Sequence, residues 1–319
     1  MTVAFVVAIA VLLGLLLFLY NQVRRSPGPS QWGRTSVWPK RLRVAFAGIT
    51  LFLAGAAFWG LLIEPGRLVI HEQTIQIDNW PQPLDGLRIV VLADIHVDDW
   101  FITDKKLRSI VECTNQLQPE LIVILGDYMS GDGWVKRRVD PELFGPVLKD
   151  LHAPLGVYSV LGNHDWWYGG MRVRRALEQN GIKVLENESA KVDARGTSLW
   201  LAGLADLWTR PQRINDTLAG IPEGQPLIGL THNPDIFPNV PQRVQLLLAG
   251  HTHGGQVRFP IIGPVIESSD YGDRWVRGHV FEDNHHLFVT TGIGTSIIPV
   301  RFGLPPEIVL LTLKSGSQN

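Results

Sequence analysis

Five short apolar runs dominate the chain after residue 63, and each stops at a residue able to bind a metal or carry a proton. Leu87–Ala93 is followed by Asp94, and Leu121–Gly126 by Asp127. Gly156–Gly162 is followed by Asn163, His164 and Asp165, Leu227–Thr231 by His232, and Val244–Gly250 by His251. Short runs rich in Val, Ile and Leu read as buried strands. Asp104 is placed to cap a helix over Lys105–Leu117 that Pro119 stops. Met171–Gln179 is a second helical segment, ended by Asn180-Gly181. His286–Thr291 and Ile308–Leu313 read as two later strands. Strand–helix alternation predicts a layered α/β fold. In open α/β sheets ligands bind at the carboxyl ends of the strands, where all five polar groups fall. One such residue would be an ordinary strand stop or helix cap; five together are poorly explained by chance.

The first 63 residues have another character. Val3–Tyr20 and Val44–Ile63 are uncharged and apolar, each near the ~20 residues that a helix needs to cross a bilayer. They predict a membrane hairpin. A cleaved signal peptide is the alternative for the first run, but no basic residue precedes it and a second run follows. Residues 21–43 carry six Lys and Arg and no acid, which places this loop in the cytoplasm and the rest of the chain outside it. The expected organisation is a multi-pass hairpin over 1–63, a linker over 64–85, a domain over 86–314 and a tail over 315–319. After residue 63 there remain 23 basic residues against all 30 acidic ones, about −7. Such a domain has no bulk attraction for phosphate or nucleic acid, so handling phosphate requires local positive charge such as metal ions. The single cysteine, Cys113, excludes a disulfide framework and a multi-cysteine zinc site.

Collected, the strand-end residues are Asp94, His96, Asp127, Asn163, His164, His232, His251 and His253. Imidazole with carboxylate oxygen suits Mn, Fe, Zn or Ni. The set exceeds what one tetrahedral ion needs and matches two ions sharing a carboxylate.

Asp94-Ile95-His96, Gly126-Asp127, Gly162-Asn163-His164-Asp165, Thr231-His232 and Gly250-His251-Thr252-His253 resemble, in order and spacing, five blocks of the calcineurin-like metallophosphoesterases. Gly250–Val257, Gly292–Ser296, Pro299–Phe302 and Pro306–Ile308 are similar to a bacterial membrane-associated branch. Ala93 departs from the Ser that many members carry there. The resemblance implies a four-layer αββα sandwich, which here follows the two transmembrane helices expected from the apolar runs. It implies two divalent metal ions, one held by Asp94, His96, Asp127 and His253, the other by Asp127, Asn163, His232 and His251. His164 would stabilise phosphoryl charge or protonate the leaving oxygen, with Asp165 orienting its ring. The implied reaction is hydrolysis of a phosphodiester or pyrophosphate bond, with a lipid-linked substrate as one form. The branch brings UDP-diacylglucosamine as a candidate, which conflicts with an extracytoplasmic domain because that substrate is cytoplasmic. Two alternatives stand beside it: a phosphomonoesterase acting on protein, and a non-enzymatic metal-dependent binding module at the membrane.

Other residues carry weaker signals. Asp98 and Asp99 read as a solvated loop, and Asp206 as a strand-end cap or a site residue. His71, His152, His279, His285 and His286 read as surface residues, and Cys113 as a small buried one. Trp59 and Trp80 are expected at the membrane interface. Trp100, Phe101, Trp134, Trp166, Trp167 and Tyr168 are expected either to form an apolar rim meeting lipid or to pack as ordinary loops. Arg301 is a candidate for binding substrate phosphate, with an ion pair to Glu307 as its rival.

Overall fold

The computed structural model describes residue 14 and residues 40–131, 137–265 and 269–316. The chain divides into two compact units, Met1–Ile63 and Glu64–Asn319. In the first, a helix over Lys40–Phe58 continues through a π turn at Trp59–Ile63. The apolar stretch Val44–Gly66 is long enough to cross a membrane. It is the only such helix among the described residues; the other expected span, Val3–Tyr20, lies outside them.

Among the described residues the second unit holds fourteen strands. In chain order these are β1 (Val69–Ile77), β2 (Leu87–Leu92), β3 (Leu121–Leu125), β4 (Val157–Val160), β5 (Lys183–Val184), β6 (Glu188–Ala194) and β7 (Thr197–Gly203). They continue with β8 (Leu227–Leu230), β9 (Leu246–Ala249), β10 (Arg258–Phe259), β11 (Gly263–Pro264), β12 (Gly278–Glu282), β13 (His285–Val289) and β14 (Glu307–Ser315). Two mixed six-stranded sheets result, ordered β1-β14-β2-β3-β4-β5 and β12-β13-β9-β8-β7-β6. β2 to β5 are parallel, as are β7, β8, β9 and β13. Alternate residues of the strands point to opposite faces. Ile89, Val91, Val123 and Val160 of one sheet therefore share an apolar seam with Leu201, Ile228, Leu230, Leu246 and Leu248 of the other. Val90, Leu92, Ile122 and Ile124 face the other way, against the helices Asp104–Gln116, Pro141–Leu148 and Asn163–Glu178. The outer face of the second sheet is covered by less: a short helix, Ile214–Leu218, and a 3-10 turn, Pro234–Asn239.

Several expectations need correction. Residues 69–77, expected within a linker, form β1, an edge strand paired along its whole length with β14. Of its outward residues Glu72, Thr74 and Gln76 are polar, so no continuous apolar run marks it. Trp80 is buried in the seam between the sheets and donates to Leu84 O. The first helix is capped by Thr103 rather than Asp104. The helix expected to begin at Met171 starts at Asn163 and tolerates a kink at Gly169, whose φ is 143°. His285 and His286 are buried. Neighbours on a strand do point to opposite sides, but both sides of β13 are covered: His285 packs on Phe237, and His286 between His279 and Phe281. Asp98 is also buried; its Oδ1 accepts from the backbone N–H of Trp100, Phe101 and Ile102 and so folds the loop on itself.

Candidate metal centre

The carboxyl ends of β2, β3, β4, β8 and β9 converge. Asp94 and His96 follow β2, Asp127 follows β3, Asn163 and His164 open the helix after β4, His232 follows β8, and His251 and His253 follow β9. All seven expected ligands are buried. Donor atoms of Asp94, His96 and His253 lie within 4.8 Å of one another, as do those of Asp94, Asp127 and His232. His96 Nε2 is 3.1 Å from His253 Nε2 and 3.6 Å from Asp127 Oδ2. His232 Nε2 is 3.3 Å from the same Asp127 oxygen, 3.1 Å from Asn163 Oδ1 and 3.2 Å from His251 Nδ1. Asp127 Oδ2 thus sits between two groups of donors.

Local backbone explains how they point inward. Asp94, His96, Asp127, His251 and His253 all have φ between 45° and 70°, in the left-handed region. That conformation costs about 1–2 kcal/mol per non-glycine residue and persists where surrounding contacts over-determine it. Here close-fitting glycines do so. A Cβ on Gly250 would lie 2.8 Å from Asp94 Oδ2, and one on Gly294 would lie 2.7 Å from His96 Cβ. Asp165 adds a second constraint. Its Oδ1 accepts from Tyr128 N and Met129 N, and its Oδ2 from Asp127 N and Gly162 N. All four bonds go to backbone of the Asp127 loop and the helix start, so Asp165 positions Asp127. The ring of His164 is not among these partners.

The chemistry of the donor set fits a cation. His96 Nδ1 faces Met129 O at 2.8 Å and His232 Nδ1 faces Leu125 O at 2.7 Å. A carbonyl only accepts, so each ring carries its proton on Nδ1 and turns Nε2 inward. Acceptors then confront acceptors. Without metal, a second proton on His232 relieves the conflict: burial lowers its affinity, but the Asp127 carboxylate outweighs this and drives the ring up to about 10. Burial pushes Asp94 up to about 7 and His251 down to about 3. Burial also pushes Asp165 up to about 7, against four N–H donors that favour its carboxylate. A divalent ion resolves the same conflict by replacing the extra proton.

His164 is half-buried beside this cluster. Its N–H donates to Asp127 Oδ1 at 2.9 Å, and its ring stands edge-on to His96 with centroids 4.9 Å apart. Two neighbours were not found by sequence reasoning. Ser296 Oγ lies 3.4 Å from His164 Nε2, and Trp208 stands edge-on to His251 at 4.4 Å. Ser296 follows no strand and gave no signal of its own. Trp208 was signalled only through Asp206, which ends the loop's approach from β7. Asp206 itself caps that loop, accepting from Thr209 N and Oγ1. Trp167 is exposed and lies against His164, while Trp134 lies outside the described residues.

Arg301 is fully buried. Its guanidinium donates to the carbonyls of Thr291, Gly292, Gly294 and Leu304. Glu307 instead accepts from Thr290 and Thr291 and pairs with His71. Neither the phosphate contact nor the Glu307 pair expected for Arg301 is supported by this placement; the side chain holds the segment that carries Gly292 and Gly294. Arg301→Met is expected to cost about 3 kcal/mol or more by stranding buried carbonyls, read as a fall in Tm. Arg301→Lys should recover little, because an ammonium cannot reproduce the fork.

The model of the calcineurin-like phosphoesterase family matches residues 87–255, which contain every one of these ligands. The chain belongs to this family. As a metallophosphoesterase it is a metal-dependent phosphoester hydrolase. It is 31% identical over 274 residues to the uncharacterized metallophosphoesterase YkuE of Bacillus subtilis, covering 85% of this chain and 94% of that one. It is 29% identical to the phosphodiesterase YaeI of Escherichia coli, covering 78% and 90%. It is 32% identical to a transmembrane protein with metallophosphoesterase domain of Danio rerio, covering 83% of this chain and 62% of the fish protein. Divalent metal is the cofactor of such enzymes, and the donor set found here suits it.

Proposed function

We propose that this metallophosphoesterase is a membrane-anchored enzyme with two metal ions, hydrolysing a phosphodiester or pyrophosphate bond, with a lipid-linked substrate. The observation that carries the reading is the position of Asp127 Oδ2, 3.6 Å from His96 Nε2 and 3.3 Å from His232 Nε2. Asp94, His96 and His253 would hold one ion, Asn163, His232 and His251 the other, and Asp127 both. Bound there, the ions supply charge compensation for the phosphoryl oxygens and activation of water. Phosphoryl transfer needs positioning and charge compensation more than covalent chemistry. His164 adds a proton donor beside the site, held in place by its N–H on Asp127.

The name of YaeI supports the diesterase, and the apolar helix with the fish relative's name supports the anchor. The basic loop at 21–43 supports an extracytoplasmic domain, which favours an envelope phosphodiester over UDP-diacylglucosamine. The test uses the full chain in detergent with Mn and bis-p-nitrophenyl phosphate. The parent should bind two ions per chain and turn over. His164→Ala should keep both ions and lose about 10²–10⁴ in kcat. Asp127→Asn should lose metal and activity together. A single ion per chain, or full activity in Asp127→Asn, would sink the shared-carboxylate site.

A further inference from the structure

Two uncharged loops near the metal centre expose large aliphatic side chains. The β10–β11 hairpin carries Ile261 and Ile262 at its tip, with Val265 behind them, all exposed. Ile297 and Ile298 are exposed in the segment that follows Ser296. No charged residue occurs from Phe259 to Val265 or from Gly292 to Val300. The two loops spring from one base. The Gln256 amide donates to Ser296 O and Ile298 O and accepts from Ser296 N, while Arg258 N donates to Phe302 O. Ile261 and Ile297 have φ of 74° and 57°. Turns needing that conformation normally take Gly or Asn, and a β-branched residue there is an outlier. Several large aliphatic side chains exposed together on two uncharged loops form an apolar patch of the kind that meets a membrane or a protein partner.

What covers it is indicated by where the chain joins the domain. Glu64 stands near the end of the apolar stretch, directly after the π turn Trp59–Ile63, and its carboxylate accepts from Gly303 N at 3.0 Å. Val69, the first residue of β1, donates to Pro306 O. The domain therefore receives the membrane-proximal chain at the same 296–306 segment that carries Ile297 and Ile298. Ser296 in turn contacts His164, so this is also the end that bears the metal centre.

We propose that the hairpin tip and the 296–300 loop dip into the surface of the bilayer and hold the mouth of the metal centre at the level of the lipid phosphates. The substrate class is then a phosphodiester or pyrophosphate in a lipid headgroup, approached from within the membrane plane. The substrate half rests on the phosphohydrolase reading above; the docking half does not.

The test uses the full chain in nanodiscs of phosphatidylethanolamine and phosphatidylglycerol, in a Cys113→Ser background. The dye NBD is attached at Ile261→Cys, Ile297→Cys or, as a control, Glu223→Cys, which lies on the exposed loop leading into the amino end of β8. Lipid bearing a nitroxide should quench the dye at 261 and 297 and not at 223. Quenching of all three by aqueous iodide alone would overturn the proposal. So would a blue shift at 261 and 297 without lipid quenching, which would mean a protein partner or second copy instead. In liposomes, Ile261→Asn with Ile262→Asn should lower lipid phosphodiester hydrolysis about tenfold and leave bis-p-nitrophenyl phosphate turnover unchanged. Lipid quenching with no lipid hydrolysis by the parent would uphold the docking and overturn the substrate half alone.

Discussion

Gly162→Ala is expected to lower hydrolysis about a hundredfold or more while leaving the fold in place. Gly162 has φ −102° and ψ 178°, a conformation alanine adopts freely, so the backbone is not strained by the change. The obstacle is Asp127: a Cβ on Gly162 would lie 2.8 Å from both Asp127 Cγ and Asp127 N, nearer than such atoms approach. Asp127 N is itself tied to Asp165, so the carboxylate must rotate away and the backbone at Asp127 must give as well. A shift of ~1 Å in a positioned group is enough for a loss of that size. Metal content and turnover should fall together, with a smaller fall in Tm than Gly126→Ala gives. Gly126→Ala makes the contrast. There φ is 86° and the Cβ would press on the backbone of Leu161 and Gly162, so Tm should fall as well. Full metal occupancy and activity in Gly162→Ala would show that Asp127 does not depend on this close approach.

Asp165→Asn is the second large effect. A carboxylate accepts the four N–H bonds of Asp127, Tyr128, Met129 and Gly162. An amide has one oxygen to offer, and its NH₂ turns donors against donors. About 3 kcal/mol of stability should be lost, with weaker metal binding. The pH profile of the remaining activity separates the roles of Asp165. A group orienting the His164 ring would shift that profile when altered; a group positioning Asp127 would lower metal affinity and leave the profile in place. The second outcome is expected, since all four bonds of Asp165 reach backbone.

The strand-end residues were legible because a parallel strand buried on both faces is an unbroken apolar run, so its end is visible to the residue. β1 was not, because an edge strand with one solvated face alternates and looks like a linker. The burial of His285 and His286 was hidden for a related reason: opposite sides of a strand mean opposite environments only when one side is wet, and β13 has none. Asp98 resembled a solvated loop residue, since nothing in its neighbours' identities announces that three of their N–H groups turn back on it. Arg301 looked like a phosphate ligand because its type is right for one; only its four carbonyl partners show otherwise. Least legible was the left-handed backbone of the site, which at Asp94, His96 and Asp127 is hemmed in by glycines far along the chain.

The order of strands in the first sheet bears on how the protein is made. β14, the latest of the described strands in sequence order, lies between the two earliest, β1 and β2. Until it arrives, β2 lacks its neighbour on that side, and the segment carrying Gly292, Gly294 and Arg301 has no strand to continue into. Domains of this size generally fold as units during synthesis, amino-terminal parts first. This one cannot close its first sheet around Asp94 before β14 has been made. Loss of Glu307–Ser315 would therefore remove an inner strand rather than a fringe. Until β14 is made, β2 presents an open sheet edge, the condition in which a chaperone has something to hold.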